Sequence, residues 1–262
     1  MNARELFLAG RWKQRWSLLC LTAVLSACST PPHAPERQAV GAAAPSMAPQ
    51  AASTLGTQWG EGRESRIYTV QAQRIEPERD RQQLRYSDER SIRQALGSGL
   101  DAQRSILLDR GNVEWSVQDA RGLPLPIYST PGQKNYQLAG KAGERYVLVY
   151  ENRSSTPYEI VTTVDGLDVL SGQAGSRRNN GYMLQPGAVL RIEGFRKSAD
   201  EVAAFRFSGK DRAYASHALA GDSRNIGVIG VVLYELRTHE PAAAPNPFPA
   251  DSKGGYAQPP RY

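Results

Sequence analysis

Cysteine is nearly missing from this chain: Cys20 and Cys28 are the two copies among 262 residues. Beyond residue 28 no thiol is left for a disulfide or a Cys-ligated metal. The fold must then be held by core burial alone, which a domain of more than about 150 residues can supply. Histidine is almost as scarce. His33, His217 and His239 are scattered, with no Glu-x-x-His spacing from which a zinc site could be built. Basic runs are absent too, which argues against a nucleic-acid partner. No serine stands in a Gly-x-Ser-x-Gly elbow. Ser216, His217 and Asp222 lie close together, but without a strained turn to activate the hydroxyl the trio is not assigned catalysis, and no catalytic residue is assigned elsewhere. Long apolar runs are missing as well: the stretch Ser17 to Ser26 is about half the roughly 20 residues that cross a bilayer.

The flanks of that stretch are informative. Arg11, Lys13 and Arg15 form a positive cluster ahead of it, and Leu25-Ser26-Ala27-Cys28 closes it with small residues and a cysteine. This resembles the lipobox of bacterial lipoproteins. An ordinary cleaved signal needs no cysteine at the cut, and a core helix does not normally stand behind a basic cluster. The resemblance implies a signal peptide over residues 1–27, diacylglyceryl transfer to the Cys28 thiol and acylation of the new N-terminus. The covalent lipid on Cys28 is then the one added group, with no other cofactor expected. Each buried methylene adds roughly 0.8 kcal/mol, so several chains hold firmly where one does not. In that family the residue after the cysteine bears on sorting, and Ser29 is not the retaining aspartate. The implied location is the outer membrane, lipid-anchored and facing the periplasm.

Cleavage before Cys28 leaves 235 residues, room for one medium domain or one with a smaller companion. The chain's formal charge of +6 shrinks on the same cut: four basic residues and one acidic residue leave with the signal, and 28 basic against 25 acidic remain. The partners this leaves are the membrane, through the lipid, and a cell-wall glycan or another envelope protein.

Residues 28–58 are dominated by Pro, Ala, Ser and Gln and predict a mobile tether. In a polyproline-like state at roughly 3.1 Å per residue, about 28 of these residues would reach somewhat over 80 Å. Residues 59–110 read as a small α/β portion. Within it, Arg66 to Ala72 alternates weakly and suggests a strand, Ile75 to Arg85 is a mixed-charge solvated surface, and Asp88 caps a short helix that Gly97 stops. A second short helix is expected from Asp101, burying Ile106, Leu107 and Leu108. Residues 111–240 read as strands and turns: Val113 to Val117, an edge segment Leu123 to Tyr128 with two prolines, a central Arg145 to Tyr150, Tyr158 to Val164 closed by Asp165-Gly166, a hairpin over Gly181 to Ile192, Glu201 to Phe207, and Ile226 to Leu236. The expected fold is mainly β, an antiparallel two-sheet sandwich. The tail over 241–262 is again rich in Pro, Ala and Gly.

Val164-Asp165-Gly166-Leu167-Asp168-Val169, Ile192-Glu193-Gly194-Phe195-Arg196, Glu201 to Phe207 and Gly221 to Gly230 together make residues 145–236 similar to a group of functionally uncharacterised bacterial envelope proteins. The likeness implies fold and compartment and brings no activity with it. Two polar turns are the candidate ligand sites. In Gly221-Asp222-Ser223-Arg224-Asn225, Asp222 and Asn225 can bond nearby amides, and Arg224 could pair a carboxylate such as Glu201. The other is Arg177-Arg178-Asn179-Asn180, where Arg177, Arg178 and Asn180 could grip an acidic or sugar surface. Loop pinning and plain exposure are the competing structural readings. Asp165 and Asp168 could suggest paired-carboxylate glycoside chemistry, but Asp165-Gly166 reads better as a turn. Tyr146, Tyr150 and Tyr234 fall in predicted strands and read as core or cross-strand residues.

Overall fold

The computed structural model describes residues 52–238. In chain order these form β1 (Leu55–Glu64), β2 (Ala72–Ser87), α1 (Glu89–Leu96), β3 (Asp101–Gln103), β4 (Ile106–Leu108) and β5 (Val113–Asp119). Next come β6 (Ile127–Ser129), β7 (Gln137–Ala139), β8 (Tyr146–Asn152), β9 (Tyr158–Val164) and β10 (Leu167–Asp168). The series ends with β11 (Tyr182–Leu184), β12 (Val189–Ile192), β13 (Gly194–Arg196), β14 (Glu201–Gly209), the single turn α2 (Tyr214–His217) and β15 (Val228–Thr238). Cys28, most of the tether and the tail lie outside the described residues. The last residues assigned to the tether, 55–58, belong to β1, with Leu55 and Thr57 buried.

The protein is mainly β, as its recurring strand and turn patterns predict. One layer is the eight-stranded sheet, ordered β10-β9-β15-β2-β7-β6-β3 with β11 also on β9. The opposing layer consists of the four-stranded β12-β8-β5-β4 and the three-stranded β1-β14-β13, linked by a bridge between Arg145 and Arg206. Among the described residues every strand pair is antiparallel except β2 with β7. β1 and β2 pair with β14 and β15, so the portion before residue 110 is interleaved with the portion after it.

Period-2 alternation builds the core. Trp115, Tyr146, Leu148 and Tyr150 point inward from one layer, and Leu84, Tyr86, Ile160, Val164, Ile229 and Leu233 from the other. Phe205 and Phe207 of β14 close the end: Tyr146 lies 4.3 Å from Phe207 and 5.3 Å from Phe205, centroid to centroid. Aromatic burial supplies what disulfides might have.

Several expected elements form as read. Asp88 accepts from the Ser91 amide at the start of α1, and Gly97 ends the helix at φ 78°. β8 is central, and Asp165-Gly166, at φ 53° and 81°, turns β9 into β10.

Others differ. Residues 66–71 form no strand: the Ser65 and Ile67 amides bond the Asp200 and Ala199 carbonyls, and Tyr68 and Val70 are exposed, so the segment has no buried face. The second helix is instead the pair β3 and β4, with Ile106 and Leu108 buried and Leu107 60% exposed, a period of two rather than 3.6. Leu123 to Tyr128 is not an edge: its prolines precede β6, which lies between β7 and β3. The Gly181 to Ile192 hairpin does not form, because β11 joins β9 and β12 joins β8 in the other layer.

Phe207→Ala should destabilise the protein by about 3–5 kcal/mol, because the ring is fully buried between Tyr86 and Tyr146. Leu107→Ala should stay within about 0.5 kcal/mol of wild type. Urea denaturation of the two variants side by side measures the difference.

Candidate functional site

A groove of about 640 Å³ runs over the outer face of the eight-stranded sheet. Its floor is Val161 of β9 with Gly230 and Val232 of β15. Arg81 and Gln83 of β2 form one wall and Gly175 to Arg177 the other, while Gly166 and Asn225 meet at one end. The face is legible in the alternation of β2: Leu84 and Tyr86 point into the core, which turns Arg81 and Gln83 outward. Thr163 lies between the floor and the Gly175 wall. Its Oγ1 passes so close to Gly230 that a Cβ there would fall 2.7 Å from it.

The loop wall is held in place by a partly buried ion pair. Arg74 donates to Glu159 through Nε at 2.8 Å and through Nη2 at 2.9 Å, and its remaining bonds go to the carbonyls of Arg177 and Asn179. Its guanidinium stacks over Tyr234 at 4.1 Å, whose hydroxyl also donates to the Arg177 carbonyl. Glu159 accepts from the Gly181 amide at 2.7 Å. The hydrogen bonds to Glu159 raise the Arg74 pKa further above its ordinary value.

Of the predicted ligand residues, Arg177 and Asn225 come together at the groove. Arg177 is exposed and pairs with Glu78 at 3.2 Å. Arg178 and Asn180 stand exposed in the same loop. Asp222 makes the expected turn, accepting from the Arg224 amide at 2.9 Å. Arg224, however, pairs with Asp222 itself at 2.6 Å and not with Glu201, which takes Lys197 at 2.6 Å. A partner two residues away is cheaper to hold than one across the fold. The Asn225 side chain bonds no amide among the described residues and lies against Gly166. Ser216 donates to the Lys210 carbonyl and His217 Nε2 contacts the Asp211 carbonyl, so neither faces Asp222. Asp165 and Asp168 face different donors, Asp168 taking the Ser171 amide and hydroxyl. Tyr146 and Tyr150 are core residues as expected.

Sequence reading missed Arg81 and Gln83, which were absorbed into the charged surface of 75–85, and Thr163. It also missed a buried polar centre at the groove's end. The Asp165 carboxylate, 1% exposed, accepts from the Thr57 amide at 2.7 Å, the Gly227 amide at 2.7 Å and the Tyr86 hydroxyl at 2.6 Å. Thr57 Oγ1 lies 2.7 Å from the Tyr86 hydroxyl and 2.6 Å from that of Tyr146. Burial pushes the Asp165 carboxyl up to about 6 against the pull of these bonds, and pushes both tyrosines well above their ordinary range. Such a group marks either a reactive centre or a structural one. It is enclosed, and its bonds tie β1, β2 and the entry to β15 together.

Among the described residues no cluster of His, Cys, Asp and Glu could hold a metal ion, and no helix is long and apolar enough to cross a membrane. Comparison with protein-family models, curated proteins and solved structures gives no match. The fold and groove define a β-sandwich with a polar-walled groove on an outer sheet face.

The Asp165 carboxyl titrates higher when folded than its ordinary value near 3.9, so the folded protein binds that proton more tightly. Its favourable contribution is fully present below about pH 4 and is lost as pH rises through about 6. Asn at this position does not titrate. The stability advantage of wild type over Asp165→Asn should therefore grow by about 2 kcal/mol on going from about pH 7.5 to about pH 4.5. Urea denaturation at both pH values reads it; a gap that stays constant or narrows would count against the raised carboxyl.

Proposed function

We propose that this protein is a lipid-anchored component of the bacterial cell envelope, with a non-catalytic binding head. Cys28 carries the lipid and residues 29–54 link it to the sandwich. The outer membrane, on its periplasmic side, is the location that Ser29 favours. The reading extends the resemblance of residues 145–236 to bacterial envelope proteins.

The observation that carries the binding role is the groove. Its loop wall is fixed by the bidentate Arg74–Glu159 pair, while Arg81, Gln83, Thr163 and Asn225 make no side-chain hydrogen bond among the described residues. A preorganised cleft with unspent polar groups suits ligand binding. The non-catalytic part is supported by the Ser216 hydroxyl and His217 Nε2, each of which meets a backbone carbonyl instead of the other. A cell-wall glycan is the favoured ligand class. A second reading, an accessory subunit of a secretion or surface assembly, is favoured by Tyr68 and Val70, exposed by 85% and 56% in the segment between β1 and β2.

Cys28→Ser tests the anchor. Wild type should take up labelled fatty acid and fractionate with membranes; the variant should lose the label and keep an uncleaved signal. Equal labelling of the two proteins would end the lipoprotein reading.

A further inference from the structure

We infer that the groove binds a carboxylated glycan, an inference that rests on the binding-head reading and names its ligand. Four side chains from separate parts of the fold converge there: Arg81 and Gln83 of β2, Thr163 of β9 and Asn225 ahead of β15. Among the described residues none of the four makes a side-chain hydrogen bond or ion pair; the bonds of Arg81 and Gln83 run through their backbone amides. A hydroxyl and two primary amides both donate and accept, which is the dual character of sugar hydroxyls. A guanidinium outside any ion pair matches a carboxylate in bidentate geometry. Val161, Gly230 and Val232 offer a flat apolar strip against which the C–H face of a sugar ring can lie.

An acidic peptide fits less well. Peptides laid on sheets draw their affinity from main-chain bonds at a free edge. Here β15 and β9, which form the floor, are paired on both sides, so a ligand lying on the floor meets side chains; β2 is paired with β15 along the groove and with β7 only over residues 85–87. A neutral sugar fits less well too. Among the described residues no aromatic lines the groove, so ring stacking adds nothing and the charge of the ligand carries the selectivity.

The test is calorimetric titration of the full-length, detergent-solubilised chain with tetragalacturonate, with maltotetraose and tetraglutamate as comparisons. Tetragalacturonate should bind saturably, about tenfold tighter than maltotetraose. Arg81→Gln should weaken it by about tenfold, the size of one charge-assisted hydrogen bond. Thr163→Val should weaken it severalfold. Arg81 is exposed and makes no ion pair among the described residues, its nearest recorded charge interaction being a through-space one with Glu78, so its variant should unfold close to the wild-type temperature. No saturable binding at millimolar tetragalacturonate, unchanged binding in Arg81→Gln, or tighter binding of tetraglutamate would each overturn the inference. A chain that is acylated at Cys28 but fails these titrations loses only its glycan; a chain that binds but carries no lipid loses only its anchor.

Discussion

Four separate stretches of the described structure meet on the Asp165 carboxylate. Thr57 brings β1 to it, Tyr86 brings β2, Gly227 brings the entry to β15, and Asp165 itself sits in the turn after β9. Counting protons fixes the direction of the network. Tyr86 gives its one hydroxyl proton to Asp165, so it must accept from Thr57. Thr57 gives its proton to Tyr86, so it must accept from Tyr146. Each of the three hydroxyls then donates one hydrogen bond, with Asp165 as the last acceptor. A proton on the carboxyl oxygen that faces Tyr86 would oppose this direction, and one on the other oxygen leaves it intact. Hydrogen bonds to a charged group contribute roughly 1.5–3 kcal/mol each, while burying an ion costs several. The carboxyl settling at about 6 means burial wins narrowly over the bonds.

That network ties the fold to the groove. Asp165 and Gly227 are the chain neighbours of Gly166 and Val228, both of which line the cleft. The β9–β10 turn and the segment entering β15 are therefore held from inside the core. On the other flank, Arg74 and Glu159 hold the Arg177 loop from the sheet's outer face. One end of the cleft is fixed by a buried carboxylate without a cation, the other by an ion pair with one. Both act partly through bonds to backbone groups, and among the described residues Arg81, Gln83, Thr163 and Asn225 are left without side-chain partners.

How much of this the sequence carried depends on the range of the interaction concerned. Alternation in Val113 to Val117 and Tyr158 to Val164, the cap at Asp88 and the Asp165-Gly166 turn are local, and each forms as its pattern predicts. The failures are non-local. Gly181 to Ile192 has the turn of a hairpin, but both halves find better partners already in place, β9 and β8. Arg66 to Ala72 alternates, but no neighbouring strand offers a face to bury it. Asp165 reads as turn chemistry and is that, but nothing in its surroundings in sequence announces Thr57, more than a hundred residues earlier. For the candidate site, Arg177 and Asn225 were legible as polar turns. Arg81, Gln83 and Thr163 were not, because only the sheet order places β2 and β9 on either side of β15.

Thr163 carries the strongest argument that the groove is more than a by-product of folding. Its side chain occupies the space that a Cβ would need at Gly230 and, on its other side, at Gly175, where the gap to Cγ2 would be 2.4 Å. A glycine inside a strand costs roughly 0.5–1 kcal/mol relative to alanine, and the Thr163 hydroxyl, half-buried, makes no bond within the described residues to offset it. Among the described residues that hydroxyl bonds no protein group, and it is not one of the buried polar atoms closed to solvent. The carboxylated glycan inferred above would give it a partner in the cleft between Arg81 and Asn225.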